Sequence, residues 1–394
     1  MSGSTLLTGS GRLLEAQPHA SEPPSLLSPW AILVAEGRIR WVGDPGDAPS
    51  ADSFEDLGTA LVTPGLVDAH SHPAFAGDRS DEAAARLAGQ AYDGGGIRRT
   101  VAITRAASDE VLLAAITNRF KAALAAGTTT IEAKSGYGLN ADQELRALRL
   151  IAQAGKEVGL RVRRTFLGAH AIPAESADAD AYLTEVIDRQ LPAVAAEADD
   201  CDVFCDAGFF SVPQAERLLR AAADRGLGLR LHADQLARTG ATELGVRLGA
   251  LAVDHLEQLD EAGVAALAGS STVATLTPIT ALVMGGRLPP ARALLDAGAT
   301  VALATDANAG TAANWRMPLV IALGATLLGM TVGEAIRAAT AGGAAALGLA
   351  AETGTIRAGK AADLVAWDAE HEGAFALRLG DVAPVATWVG GVRR

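Results

Sequence analysis

The chain is short of cysteine, of aromatic residues and of basic charge. Only two of its 394 residues are cysteines, Cys201 and Cys205, and both lie in one short apolar segment. No disulfide framework is possible beyond that local pair, which points to a reducing compartment and a cytoplasmic location. Lys and Arg number 33 against 46 Asp and Glu, a net charge of −13. That balance argues against nucleic acid or an anionic membrane as partner, since both require basic patches. A signal peptide is not expected either: Arg12 is the only basic residue in the first 30, and no apolar run follows it. Uninterrupted apolar runs of membrane length are also lacking. Ala262–Gly286 is broken by Ser and Thr residues, Pro278 and four glycines, and Met317–Gly333 spans 17 residues with Pro318 and three glycines. Both read as buried core segments rather than spanning helices.

What is present is apolar bulk. Hydrophobic residues make up 49% of the chain and charged residues 20%, enough for a large core and against a disordered state. Residues 1–60 are rich in Gly, Pro and Ser, with short apolar runs such as Ala31–Val34 and Ile39–Val42, and read as short antiparallel strands. The stretch from Gly354 has the same character. Between them, eight β-like runs alternate with helix-length segments such as Asp142–Val158, Val212–Arg225 and Thr239–Leu248. The runs are Ala60–Asp68, Thr128–Lys134, Arg161–Leu167, Asp202–Asp206, Gly228–His232, Leu251–His255, Thr272–Thr277 and Thr300–Thr305. The expected fold class is α/β: a (β/α)8 TIM-like barrel over residues 61–351, plus a small β-sandwich from residues 1–60 and 352–394. An open doubly wound sheet is the alternative, but no G-x-G-x-x-G follows the first run. Gly94-Gly95-Gly96 reads as a flexible loop rather than a phosphate cradle.

Working residues of a barrel enzyme sit at the C-terminal ends of its strands. His70 and His72 follow the first run as "GLVDAHSH", and residues two apart on a strand point to one face. His232 ends the fifth run, His255 the sixth and Asp306 the eighth. One such residue is an ordinary polar strand end, whereas five at one barrel mouth are hard to explain as core residues. Three histidines and an aspartate suit Zn²⁺ or Fe²⁺, with a position left for a water whose pKa falls to about 7. A carboxylate can then take the proton, and a neighbouring histidine can polarise a carbonyl. His19 and His371 lie in polar flanking surroundings and read as surface histidines.

This pattern resembles the amidohydrolase superfamily. The fourth run, "CDVFCDAGFF", has no lysine to carbamylate and no bridging glutamate, which resembles the mononuclear members. "AGDRSDE", "GGGIRRTVAITRAAS", "GTTTIEAKSGYGL", "FLGAHAIP", "LHADQ", "DHLEQ" and "ATDANAGT" follow in one order, and together closely resemble the imidazolonepropionase family. The resemblance covers essentially the whole chain and is weakest at residues 1–55 and at the C-terminus. It implies one divalent ion per chain, zinc or iron, on His70, His72, His232 and Asp306. It implies hydrolytic ring opening of 4-imidazolone-5-propanoate in histidine degradation, a homodimer, and substrate contacts at Arg79, Tyr137, His170, Asn308, Gly310 and Thr311.

The residues themselves make chemical sense of this. The guanidinium fork of Arg79 matches a carboxylate, and Tyr137 lies between two glycines that let the backbone turn. Asp306 serves as base with His255 beside it, and Gln235 replaces the glutamate that related deaminases use as a proton shuttle. A glutamine can orient a water or the substrate but carries no proton, which speaks against a cyclic amidine or pyrimidine deaminase. A catalytically silent scaffold would have lost ligands that are all present. Plainer readings stand beside these. Arg79 could be a loop ion-pair residue and Tyr137 a packed aromatic. Lys134 reads as an exposed-loop or strand-end lysine. Glu82 and Arg105 could support the site or only the fold. Ala309 stands where the family resemblance leads one to expect proline, which loosens that loop.

Overall fold

The computed structural model describes residues 3–15, 26–89 and 95–394. Eight parallel strands form the centre: Leu66–Asp68, Thr128–Lys134, Arg161–Ala169, Asp200–Cys205, Gly228–Ala233, Ala252–His255, Val273–Leu276 and Val301–Leu303. Each pairs with the next in sequence order, with helices between them on the outside. The first and eighth strands meet beyond their ends. Thr305 donates through its N–H and hydroxyl to the carboxylate of Asp68 (3.0 and 2.6 Å), and a bridge joins Ser71 to Ala307. The sheet thus closes into a barrel. Every residue of Thr128–Lys134 is buried, as befits a strand with helices on one face and barrel interior on the other.

The barrel helices carry explicit stops. In Ala141–Val158, Asn140 caps the start by accepting from Gln143 N–H, and Gly159 ends it in the left-handed region at φ 79°. The apolar helix Met317–Thr326 is largely buried, as expected of its segment. Among the described residues no helix is long and apolar enough to cross a membrane.

Both chain ends build a sandwich. One sheet has the order Val392–Arg393, Pro384–Val389, Leu364–Trp367, Leu61–Pro64, Leu13–Leu14, Leu26–Leu27. The other has the order Arg38–Gly43, Trp30–Ala35, Thr5–Gly9, Ser53–Asp56. Leu7, Trp30 and Ile32 of one pack with Leu13, Val62, Leu364 and Trp388 of the other. The expectation of antiparallel strands holds for the hairpins but not throughout. Ser53–Asp56 lies parallel to Thr5–Gly9, and Leu13 pairs parallel with Val62. The hairpin Trp30–Gly43 occupies one side of Thr5–Gly9, so the returning chain must cross to the other side. The run Ala60–Asp68 is two strands in two sheets, divided at Gly65. A Cβ there would lie 2.2 Å from Thr129 Oγ1, so the chain switches sheets where only glycine fits. Of the glycine run, Gly94 lies outside the described residues, while Gly95 and Gly96 open the helix Gly95–Ala106 instead of forming a loop.

Candidate active site

At the barrel mouth the backbone itself sets the first two histidines. His72 N–H donates to the Ala307 carbonyl (2.9 Å), and Asp306 N–H donates to the His70 carbonyl (3.0 Å). Strand one and strand eight therefore hold their side chains in mutual register. His70 Nε2 lies 3.1 Å from His72 Nε2, and Asp306 Oδ1 lies 3.4 and 3.3 Å from these two nitrogens. One ring nitrogen each of His70, His72 and His232 lies within 4.8 Å of the others. His70, His255 and Asp306 form a second such group. Thr280 Oγ1 donates to Asp306 Oδ2 at 2.5 Å and so fixes the carboxylate plane.

This donor set fits a divalent metal on the chain's own terms. His70 Nδ1 pairs with Asp254 Oδ2 at 2.7 Å, and His232 Nδ1 with Asp202 Oδ1 at 3.1 Å. Such carboxylates fix the tautomer and aim the other nitrogen. His232 Nε2 is then buried without a partner, which is costly unless something binds it. Burial pushes the imidazole of His232 down to about 3, despite Asp202, and holds His72 well below the ordinary histidine range. Both are neutral, as ligands must be. Burial and the Lys134 ammonium both press on His70, yet Asp254 and Asp306 carry it up to about 9.

A half-open cavity lies over this cluster. It is lined by Arg79, Tyr137, His170, Gln235, Asn308, Gly310 and Thr311, together with His72, His232, His255 and Asp306. Of the residues expected in the site only His70 is not in the lining, and it is wholly buried among the histidines. Arg79 and Glu82 form a two-toothed pair, Nε–Oε2 2.8 Å and Nη2–Oε1 2.5 Å. Gly310 and Gly96 leave room for the guanidinium: a Cβ on either would lie 2.5 and 2.0 Å from its nitrogens. Tyr137 rides on a loop held from both sides. Glu144 accepts the N–H groups of Gly136, Gly138 and Leu139, and Arg105 donates to the carbonyls of Gly138 and Leu139. Glu82 and Arg105, open in the sequence reading, thus brace Arg79 and the tyrosine loop.

His170 donates from Nδ1 to the Gly136 carbonyl (2.8 Å), and burial brings it down to about 4. It is a neutral ring with Nε2 left as an acceptor. His255 stands at φ +83°, a strained position for a residue with a side chain. Its Nδ1 lies 3.1 Å from Thr277 Oγ1 and 3.8 Å from Glu257 Oε1, and its Nε2 is buried without a partner. Asn308 spends both ends of its amide on its own loop: Oδ1 accepts from Gly310 and Thr311 N–H, and Nδ2 donates to the Asp306 carbonyl. That turn holds the loop although Ala309 is not proline. Asp206 accepts the N–H groups of Gln235, Leu236 and Ala237 and fixes the Gln235 segment.

Sequence reasoning missed the layer below. Lys134 does end its strand, Thr128–Lys134, but it is wholly buried rather than set in an exposed loop. It sits with Glu132, Asp202, Arg230 and Asp254 inside the barrel, all at 0% exposure. Burial works against its ammonium, but Asp202 and Glu132 hold its pKa above the usual lysine value. The available signal was charge at i and i+2, Glu132 and Lys134, within a strand that should be buried on both faces. His371 is exposed as expected, and His19 lies outside the described residues.

Comparison with known proteins follows the same line. The amidohydrolase family profile matches residues 61–394. The imidazolonepropionase of Rubrobacter xylanophilus is 45% identical over 96% of this chain and 96% of its own. That of Streptomyces coelicolor is 44% identical over the full length of both. Among solved structures, N-isopropylammelide isopropylaminohydrolase from Burkholderia multivorans superimposes with a TM-score of 0.75 at 22% identity, covering 100% of this chain and 98% of that one. An adenosine deaminase from Xanthomonas campestris with bound zinc gives 0.74 at 21%, covering 99% and 92%. At those identities the two structures speak for the fold alone.

Proposed function

The chain belongs to the amidohydrolase family and, within it, to the imidazolonepropionases, and from that premise we propose what its cavity does. It opens the ring of 4-imidazolone-5-propanoate by hydrolysis, giving N-formimidoyl-L-glutamate in histidine degradation. The observation that carries this reading is the convergence of His70, His72, His232 and Asp306 under a cavity that also holds Arg79 and Gln235. A divalent ion held by those four residues would supply Lewis acidity, acidifying a water and polarising the lactam carbonyl.

The rest falls to the chain's own side chains. Asp306 takes the proton of the attacking water and returns it to the departing ring nitrogen. A new C–O bond forms at the carbonyl carbon as the lactam C–N bond breaks. With Thr277 donating to its Nδ1, His255 presents Nε2–H to the developing oxyanion. His170 accepts a ring N–H at Nε2, Tyr137 closes over the ring, and Arg79 takes the propanoate carboxylate. Gln235 orients the ring without moving a proton. Asn308, Gly310 and Thr311 shape the loop beside the product. The ion is zinc or iron, one per chain, since three nitrogens and one oxygen suit both. The enzyme works as a homodimer in the cytoplasm, a reading supported by the family resemblance and by two free, buried cysteines.

The test is product analysis in heavy-oxygen water. Hydrolysis gives one labelled oxygen in the new carboxylate and no ammonia. Ammonia release with the ring intact would make the site a deaminase.

A further inference from the structure

Beneath the histidines lies a charged cluster that takes no part in the steps above. Lys134 Nζ is 2.9 Å from Glu132 Oε1, 2.8 Å from Asp202 Oδ2 and 3.9 Å from Asp254 Oδ2. Each of these carboxylates holds a different part of the histidine set. Glu132 Oε2 accepts the N–H of Ser71, the residue between His70 and His72, at 3.0 Å. Asp254 holds His70 Nδ1 at 2.7 Å, and Asp202 holds His232 Nδ1 at 3.1 Å. The backbone repeats the link, since Lys134 N–H donates to the Ser71 carbonyl at 2.9 Å. Arg230 also lies near, 3.5 Å from Asp254 Oδ2, but it donates to the carbonyls of Ala69 and Ala346. Lys134 is thus the one side chain among the described residues that reaches all three anchors.

Three carboxylates this close repel one another unless a cation lies between them. A wholly buried ion cluster is a poor source of stability, because apolar side chains of the same size cost less to bury. We propose that Lys134 is a positioning residue for the metal. Its ammonium fixes Glu132, Asp202 and Asp254, and through them aims His70, His72 and His232. The inference rests on reading those histidines, with Asp306, as the metal ligands.

The experiment compares the full chain with Lys134→Met. Co²⁺ affinity is measured by competition with a chromophoric chelator, alongside the Co²⁺ absorption spectrum and the melting of metal-free and loaded protein. We expect affinity to fall about 10- to 100-fold, as for other residues that orient ligands, with an altered spectrum. A purely structural charge would lower both melting temperatures equally and leave affinity and spectrum unchanged, which overturns the proposal. If Lys134→Met does not fold, Glu132→Gln decides, because it keeps an acceptor for Ser71 and loses the charge facing Lys134. Weakened affinity there supports the proposal, and unchanged affinity overturns it. A wild-type chain that takes up no Co²⁺ would remove the ligand reading itself, and the inference with it. A wild type that binds, beside a variant that binds equally well, would overturn the Lys134 inference alone.

Discussion

Asp306 is asked to face the histidines with one oxygen while Thr280 holds the other. If it also moves the proton, Asp306→Asn loses about 100- to 10,000-fold in kcat in protein shown to retain metal. Normal turnover in that variant would place the base elsewhere. Arg79 makes a different demand, on binding rather than on chemistry. Removing a charge-assisted hydrogen bond costs about 1.5–3 kcal/mol, so Arg79→Gln should raise KM about 10- to 100-fold with kcat little changed. An unchanged KM would mean that the carboxylate arm lies against other groups. His170 gives a pH signature. Burial lowers its folded pKa to about 4 from 6.5, so between those values the unfolded chain binds a proton that the folded chain refuses. Its contribution to stability is complete above about pH 6.5 and is lost as pH falls toward 4. In metal-free protein, His170→Gln should flatten the fall in melting temperature over that window. An identical slope in both proteins would show that His170 titrates normally.

At the scale of elements, the tyrosine loop is the clearest case of a functional group held by structure. Glu144 alone satisfies three buried N–H groups of residues 136–139. Glu144→Ala leaves them unpaired, at about 1–3 kcal/mol each. Melting should fall by several degrees and KM rise together with it. A destabilised variant with unchanged KM would show that Tyr137 does not need this loop geometry. The elements themselves were legible, because seven of the eight apolar runs match a barrel strand within two residues, and the first, Ala60–Asp68, contains its strand Leu66–Asp68. The division at Gly65 was not. Leu61–Pro64 and Leu66–Asp68 are equally apolar, and only the close approach of Thr129 separates them. Lys134 was misread for a related reason. A charge at a strand end looks exposed until the partners from strands four and six, Asp202 and Asp254, are brought beside it.

The whole molecule is a barrel braced by a sandwich that neither chain end could build alone. Trp367, from the C-terminal strand Leu364–Trp367, donates from its indole to Thr63 Oγ1 (2.9 Å) and packs with Leu14, Leu61 and Phe375 against the barrel-side core. A Cβ at Gly127 would lie 2.5 Å from that indole, and Gly127 sits at φ +88°. Gly127→Ala should therefore destabilise by a few kcal/mol, measurable by denaturant unfolding, through strain and overpacking together. A neutral effect would mean that the two units are not tightly docked there. The five residues at the barrel mouth could be read from strand ends, because each is a polar stop to an apolar run. What orients them could not, because it depends on contacts among strands two, four and six. The central claim is metal-dependent ring opening. The most direct test follows the ultraviolet absorbance of 4-imidazolone-5-propanoate with metal-replete, chelator-stripped and re-metallated protein. Rapid loss with the first and last, none with the second, and no ammonia is the predicted result. Equal loss in the stripped protein, or no loss in a chain with metal bound, would contradict it.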